Sequence, residues 1–196
     1  MPYHKSPAVI IRSLDFAEWD KLITFFTRDY GKLKGVAKGA KRSRKRFGSA
    51  LEPLTYTTVS FFEKERAQLV RLDRCEIIES FPQIHNDVLR VGYASYLGEL
   101  TNEMVAEREA NRELFNLLIT FLFLLNDKDF REEFIRIFEL RLLSLAGYQP
   151  EFGRCVMCRK EVNGTREHNF SEQRGGLICL ESFKGSHNSP RLSGGT

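Results

Sequence analysis

Val36 to Phe62 reads VAKGAKRSRKRFGSALEPLTYTTVSFF, and its ends are of one kind and its middle of another. Val36–Ala37 and Leu54–Phe62 carry strand-forming residues, among them Tyr56, Val59 and Phe61. Between them six cations, Lys38, Lys41, Arg42, Arg44, Lys45 and Arg46, fall in nine residues with no acid among them. As a strand this run would put Arg44 and Lys45 on opposite faces, and as a helix its charges would surround the axis with little apolar anchor. A mobile basic loop joining two hairpins is the expected structure.

Upstream, Ala8–Leu14 contains Val9, Ile10 and Ile11, and Lys21–Thr27 contains Leu22, Ile23, Phe25 and Phe26. Asp29, Tyr30 and Gly31 supply a turn before a strand at Lys32–Ala37. Downstream, Gln68–Ile78 brings Leu69, Val70, Leu72, Ile77 and Ile78. Five short strands without an intervening helical pattern predict a small barrel, and the five-stranded OB-fold is the economical choice.

At about Phe81 the period changes. Ile84, Val88, Val91, Leu97, Leu100 and Met104 recur at helical spacing, followed by Leu114, Leu117, Leu118, Phe121 and Leu125. A third helix is expected near Asp129, where Asp129 and Glu132 have capping-box spacing, through Phe134, Ile137, Phe138, Leu142 and Leu145 to Gly147. Glu99, Glu103 and Glu107 then share a helical face, which hydration explains without a substrate.

With 196 residues, 42% of them hydrophobic and 12% aromatic, the chain can bury one substantial core or two smaller ones. Its charge is uneven: residues 1–80 hold 16 basic and 10 acidic side chains, residues 81–149 hold 7 and 11, and residues 150–196 hold 7 and 5. The start shows no secretory signal pattern. The longest apolar run, Leu114–Leu125, is 12 residues with Asn116 inside it, which predicts a buried helix and no membrane partner. No phosphate-loop, nucleotide-fold or serine-nucleophile motif is visible, so binding is favoured over catalysis.

A cation run of this density points to a polyanion, either as a contact surface or, in the bland reading, as a solvated connection. Contact would be nonspecific, with Arg giving bidentate hydrogen bonds to phosphate and Lys a mobile point charge. Six contacts to a single strand would give a log–log salt slope of roughly −4. Tyr56, Phe61 and Phe62 are candidates for base stacking, although strand alternation sends Phe61 and Phe62 to opposite faces and assigns at least one to the core.

After Pro150 the chain changes again. Cys155 and Cys158 form a Cys-x-x-Cys pair, and Gly175-Gly176 precedes Cys179. Such a pair holds two corners of tetrahedral zinc, and a glycine turn brings a distant ligand within reach. The position that would complete a second pair is Ser182, so His168, His187, Glu181 or water would have to supply the fourth corner. A metal site and an unmetallated turn both remain open. A thioredoxin-like redox pair lacks its strand-to-helix placement, and Cys75, in strand-like sequence, reads as an inert core thiol. Reduced thiols or a metal fit a cytoplasmic protein better than disulfides do.

Taken in order, the strand-rich start, the stretch VAKGAKRSRKRFGSALEPLTYTTVSFF, the helical middle, and LLSLAGYQPEFGRCVMCRK followed by GGLIC resemble the DNA repair protein RecO family. The resemblance covers nearly the full chain to about Ser182. It implies a mixed α and β fold, with an N-terminal five-stranded OB-fold barrel followed by an α-helical domain bearing an inserted zinc-ribbon-like module. The expected divisions are residues 1–80 for the DNA-binding barrel, 81–149 for the helical domain, 150–183 for the zinc-ribbon-like module and 184–196 for a flexible tail.

Family membership would make the six cations, with Tyr56 and Phe61, the DNA-contact group. It would make Cys155, Cys158 and Cys179 three of four Zn2+ ligands, with Ser182 departing at the fourth. It implies a non-catalytic, cytoplasmic and nucleoid-associated mediator. Such a protein binds single- and double-stranded DNA, anneals strands, and acts with RecR and single-stranded-DNA-binding protein to load RecA. The family's helical continuation after the module is not matched, and Lys184–Thr196, rich in Gly, Ser, Asn and Pro, is expected to lie outside any core. Two other readings are a general single-stranded nucleic-acid-binding module, with RNA among its ligands, and a protein-interaction adaptor with an incidental basic loop.

Overall fold

Strand β1 (Tyr3–Phe16) runs for 14 residues, twice the length its apolar centre suggests, because it pairs on both edges. A computed structural model describes residues 2–64, 67–162, 168–182 and the backbone of 191–192. Tyr3–Val9 of β1 pairs antiparallel with β4 (Tyr56–Phe62), and Ala8–Phe16 pairs with β2 (Asp20–Thr27). Next, β2 pairs with β3 (Gly31–Ala37), whose last three residues lie parallel to Val70–Leu72 of β5 (Val70–Glu79). Since β5 returns to β4, the order β1-β2-β3-β5-β4 closes a barrel, the OB arrangement expected from the strand pattern.

Alternation decides what fills the barrel. Ala8, Ile10, Ile23, Phe25, Leu33, Val59, Phe61, Val70 and Leu72 form its buried interior. The parallel β3–β5 contact is close enough at Gly35 that a Cβ would overlap the side chains of Val70 and Leu72, so this crossing needs glycine.

The connection between β3 and β4, expected to be mobile, is held in place instead. Phe47, Ala50 and Leu51, each 2% exposed, belong to the barrel's own core. Consecutive turns lead up to them, with Ser43 N donating to Gly39 O, Phe47 N to Ser43 O and Ala50 N to Phe47 O. Cys75 N on β5 donates to Arg46 O at 2.9 Å and ties the cation run to the wall. The correction has a simple cause: three apolar residues spaced one helical turn apart gain more by entering the barrel than the flanking charges lose, since those charges stay at the surface.

Outward-facing Val9 and Phe26 are also buried, beneath the helices. Helix α1 (Pro82–His85) is followed by α2 (Val88–Met104), α3 (Arg112–Asn126) and α4 (Glu133–Leu145). Phe115 of α3 meets Phe26 edge-on at 5.6 Å, and Phe121 meets Phe138 of α4 at 5.2 Å. Asp87 caps α2 by accepting from Leu89 N and Arg90 N, and Asn111 caps α3 by accepting from Leu114 N. Arg90 donates to Leu125 O and Asp127 O at the carbonyl end of α3, where a cation is favourable.

Two helical expectations change. The Asp87 cap divides the first apolar pattern, leaving Val88 exposed at the start of α2 and outside the core. The Asp129–Glu132 capping box does not form, because Asp129 N bonds Asp127 Oδ1 and α4 starts at Glu133.

The chain forms two compact units, Met1–Leu142 and Leu143–Thr196. In the second, β6 (His168–Ser171) is flanked by β7 (Gly176–Ile178) and β8 (Arg191–Leu192). Of the expected tail, 184–196, Arg191 and Leu192 thus form an edge strand, and its other residues lie outside the described ones. Among the described residues no helix is long and apolar enough to cross a membrane.

Candidate nucleic-acid interface and metal centre

The cation run meets the β1–β2 turn at one end of the barrel. Lys41 N donates to Trp19 O at 3.1 Å and Gly39 N to Asp20 Oδ1 at 2.8 Å, so the backbones of the two loops are joined. Their side chains then sort the six cations into two groups. Lys41 pairs with Asp15 at 2.9 Å, Arg42 lies 3.3 Å from the centroid of the Trp19 ring, and Arg46 donates to Ser43 Oγ and to Lys38 O. The Lys41 hydrogen bond holds the Asp15 carboxyl below its ordinary value of 3.8, so this pair is ionised at neutral pH. Lys38, Arg44 and Lys45 are exposed and make no ion pair among the described residues. The first three cations brace the platform, while the second three project their charge into solvent.

The segment from the end of α2 to the start of α3 is tied to the barrel: Lys34 pairs with Glu107 at 2.5 Å, Arg108 N donates to Lys32 O, and Arg112 reaches Asp29 at 2.8 Å. Lys34 lowers the Glu107 carboxyl by donating to it. Glu107, expected on a hydrated helical face with Glu99 and Glu103, therefore lies beyond the end of α2 and latches the open edge of β3. Gly31 permits the latch: its φ is +70°, and a Cβ there would overlap the Glu109 backbone. Lys34 is thus neutralised locally, whereas Lys38, Arg44 and Lys45 in the connection are exposed without an ion pair among the described residues.

The aromatic candidates do not lie on this surface. Phe61 is wholly buried, with Phe25, Tyr30 and His4 packed around its ring at 6.1, 5.5 and 5.3 Å. Its position on the inward side of β4 removes it as a base contact. Tyr56 is half-buried and stands 6.2 Å from Phe115, on the helix-covered side of the barrel. Phe62 faces outward and packs on Tyr3 at 5.0 Å. The exposed aromatic that meets the cations is Trp19, beneath Arg42, which the linear pattern does not connect to residues 38–46; only the fold of the β1–β2 turn places it there.

In the second unit the Sγ atoms of Cys155, Cys158 and Cys179 all lie within 4.8 Å of one another. Cys158 and Cys179 are 3.6 Å apart, close to the edge of about 3.8 Å that a tetrahedron with zinc–sulfur bonds of about 2.3 Å would have. Burial of the Cys155 thiol raises its pKa, but the backbone amides of Cys158, Cys179 and Met157 outweigh burial and bring it down to about 6. Thiolate is the ligand form, so the donor set fits a divalent thiophilic ion such as zinc.

Ser182, at the sequence position of a fourth ligand, has its Oγ 3.2 Å from Cys179 Sγ and accepts a hydrogen bond from it. His168 is buried in β6 outside the sulfur cluster, Glu181 meets Lys160 at 2.8 Å, and His187 lies outside the described residues. A bound zinc ion would act structurally, tying the Cys155–Cys158 turn to the end of β7. Cys75, by contrast, is pushed up to about 12 by burial in the barrel and is a core thiol.

Comparison with known proteins agrees across both halves. Residues 1–81 match the family described as Recombination protein O N terminal, and residues 85–196 match Recombination protein O C terminal. The DNA repair protein RecO of Syntrophus aciditrophicus is 39% identical over 180 residues, which cover 92% of this chain and 70% of that protein. The DNA repair protein RecO of Halalkalibacterium halodurans is 35% identical over 177 residues, covering 90% of this chain and 68% of that protein. That of Symbiobacterium thermophilum is 34% identical over 195 residues, covering 98% and 76%.

Proposed function

We propose, since the chain belongs to the RecO family and has a DNA repair role through it, that it is a non-catalytic DNA-binding protein that promotes annealing of complementary strands. The observation that carries this reading is the cation run fixed on the end of an OB barrel, with Lys38, Arg44 and Lys45 presented to solvent. Cations on a rigid support lower the repulsion between two phosphate backbones, and the bases then pair through their own hydrogen bonds. Nothing in that scheme requires base readout, so single- and double-stranded DNA are both ligands.

Working with RecR and single-stranded-DNA-binding protein to load RecA, at the nucleoid in the cytoplasm, belongs to the same reading. The helical part supports a partner role. Val88, Leu89, Gly92, Tyr93, Tyr96 and Ile135 line an apolar groove of about 640 Å³ between α2 and α4, with the Arg136–Glu139 ion pair at its side. Its apolar lining suits the hydrophobic end of a peptide such as the tail of a single-stranded-DNA-binding protein. Zinc at Cys155, Cys158 and Cys179 would keep the second unit folded.

The test is the pairing rate of complementary oligonucleotides at low salt, for wild type and for a variant with all six cations changed to glutamine. Wild type is expected to accelerate pairing and the variant to lose that acceleration while keeping its circular dichroism. A wild type that leaves the rate unchanged, or a variant as active as wild type, defeats the reading.

A further inference from the structure

At the tip of the β1–β2 hairpin the protein exposes apolar surface beside its cations. Leu14, Phe16 and Trp19 are 49%, 46% and 37% exposed. Leu14 and Phe16 follow at i and i+2, so they share one face of β1, and both pair across the hairpin with β2. Trp19 is the single tryptophan of the chain. Folding leaves a large aromatic surface in water at the place where Lys41 and Arg42 arrive, which is costly unless a ligand uses it.

We propose that Trp19 is a base-stacking platform for single-stranded DNA. The inference rests on the DNA-binding reading and adds to it a residue and a strand preference. Three observations converge. The Arg42 guanidinium covers one face of the ring, 3.3 Å from its centroid, so the indole is held in one orientation before any base arrives and the base would stack on the opposite face with little loss of side-chain freedom. Lys41, bonded through its backbone to Trp19 and through its side chain to Asp15, fixes the ring against the cation run. Lys38, Arg44 and Lys45 then stand ready for the phosphates on either side of the stacked base.

An indole face stacks on any base, so the site reads no sequence. It does read strandedness. Inside a duplex both faces of each base are already stacked and only the two terminal pairs offer a free face, so the duplex relies chiefly on the cations. The two ligand classes therefore separate at one residue: phosphate contact serves both, and Trp19 serves the single strand.

Trp19 also reports its own occupancy. Its fluorescence would be followed while oligo(dT) or a blunt duplex of equal length is added, with fluorescence anisotropy of labelled DNA measuring affinity in parallel. Wild type should bind both DNAs, and oligo(dT) should quench the indole more strongly than the duplex does. Trp19→Leu, which keeps apolar bulk, should weaken oligo(dT) binding on the order of tenfold and duplex binding less than about twofold, while Trp19→Phe keeps most of the affinity. A Trp19→Leu variant that binds oligo(dT) as wild type does, or loses both DNAs equally, overturns the inference and leaves the DNA-binding reading standing. Absence of quenching when anisotropy shows oligo(dT) bound does the same. Failure of wild type to bind either DNA removes the reading and the inference together.

Discussion

The β3–β4 connection and the cysteine module are both rich in turns and glycine, yet different forces hold them. The connection is an extension of the barrel core: Phe47, Ala50 and Leu51 are as buried as the strands around them. Among its described residues the cysteine module buries Cys155, His168, Asn169, Ser171, Gly176 and Leu177, and its turn is organised around three converging sulfurs. Apolar burial needs nothing from outside, so the cations it carries are presented permanently. A sulfur cluster of this kind would be held by an ion bound between the sulfurs. A strongly charged surface loop and a thiol-rich turn that look alike in composition thus answer to opposite perturbations.

The largest effect should come from removing the plug. Phe47→Ala leaves a cavity inside the barrel and should cost about 3–5 kcal/mol in urea unfolding, with DNA affinity falling as the connection loosens. A loss below about 1 kcal/mol would mean that the connection does not depend on the core and would erase the contrast.

Next in size is metal removal. A chelator, or Cys158→Ala, should make residues 150–182 sensitive to protease while the barrel's unfolding midpoint and its DNA affinity stay unchanged. Cobalt substitution should show thiolate-to-metal absorption, and Ser182→Cys should tighten binding by completing the sulfur set. Equal protease resistance with and without chelator would show that the module stands on packing alone.

The smallest effect is electrostatic and belongs to the connection. The folded-state pKa of Asp15 is depressed by Lys41, so the pair's contribution is present above the unfolded value of 3.8 and is lost as pH falls through the lower folded value. Carboxyl titration by NMR should place Asp15 below 3.8 in wild type and near it in Lys41→Gln. An unshifted Asp15 in wild type would remove Lys41 from the bracing group.

Much of this was legible in the chain. Alternation placed all five strands, but β1 is longer than its apolar run because pairing with β2 on one edge and β4 on the other gives even Tyr3, Lys5 and Asp15 ladder partners. The plug was hidden by the charge around it, although Phe47, Ala50 and Leu51 at i, i+3 and i+4 carry the signal of one amphipathic turn. Helix starts depended on which side chain won the cap, and at α4 no local residue pattern announces that Asp129 would be used elsewhere. The three cysteines were readable from spacing, whereas the fourth corner required the distance from Ser182 to Cys179. Trp19 could not be joined to Arg42 without the register that folds one loop over the other.

The division of the six cations is tested most directly by the salt dependence of single-stranded DNA affinity. Changing Lys38, Arg44 and Lys45 to glutamine should lower the magnitude of the log–log slope by about 2, because each phosphate that is no longer neutralised removes about 0.7. Changing Lys41 and Arg46, whose side chains are engaged by Asp15 and by Lys38 O, should lower it by less than about 1. An unchanged slope in the first variant would contradict the assignment of DNA contact to the exposed three.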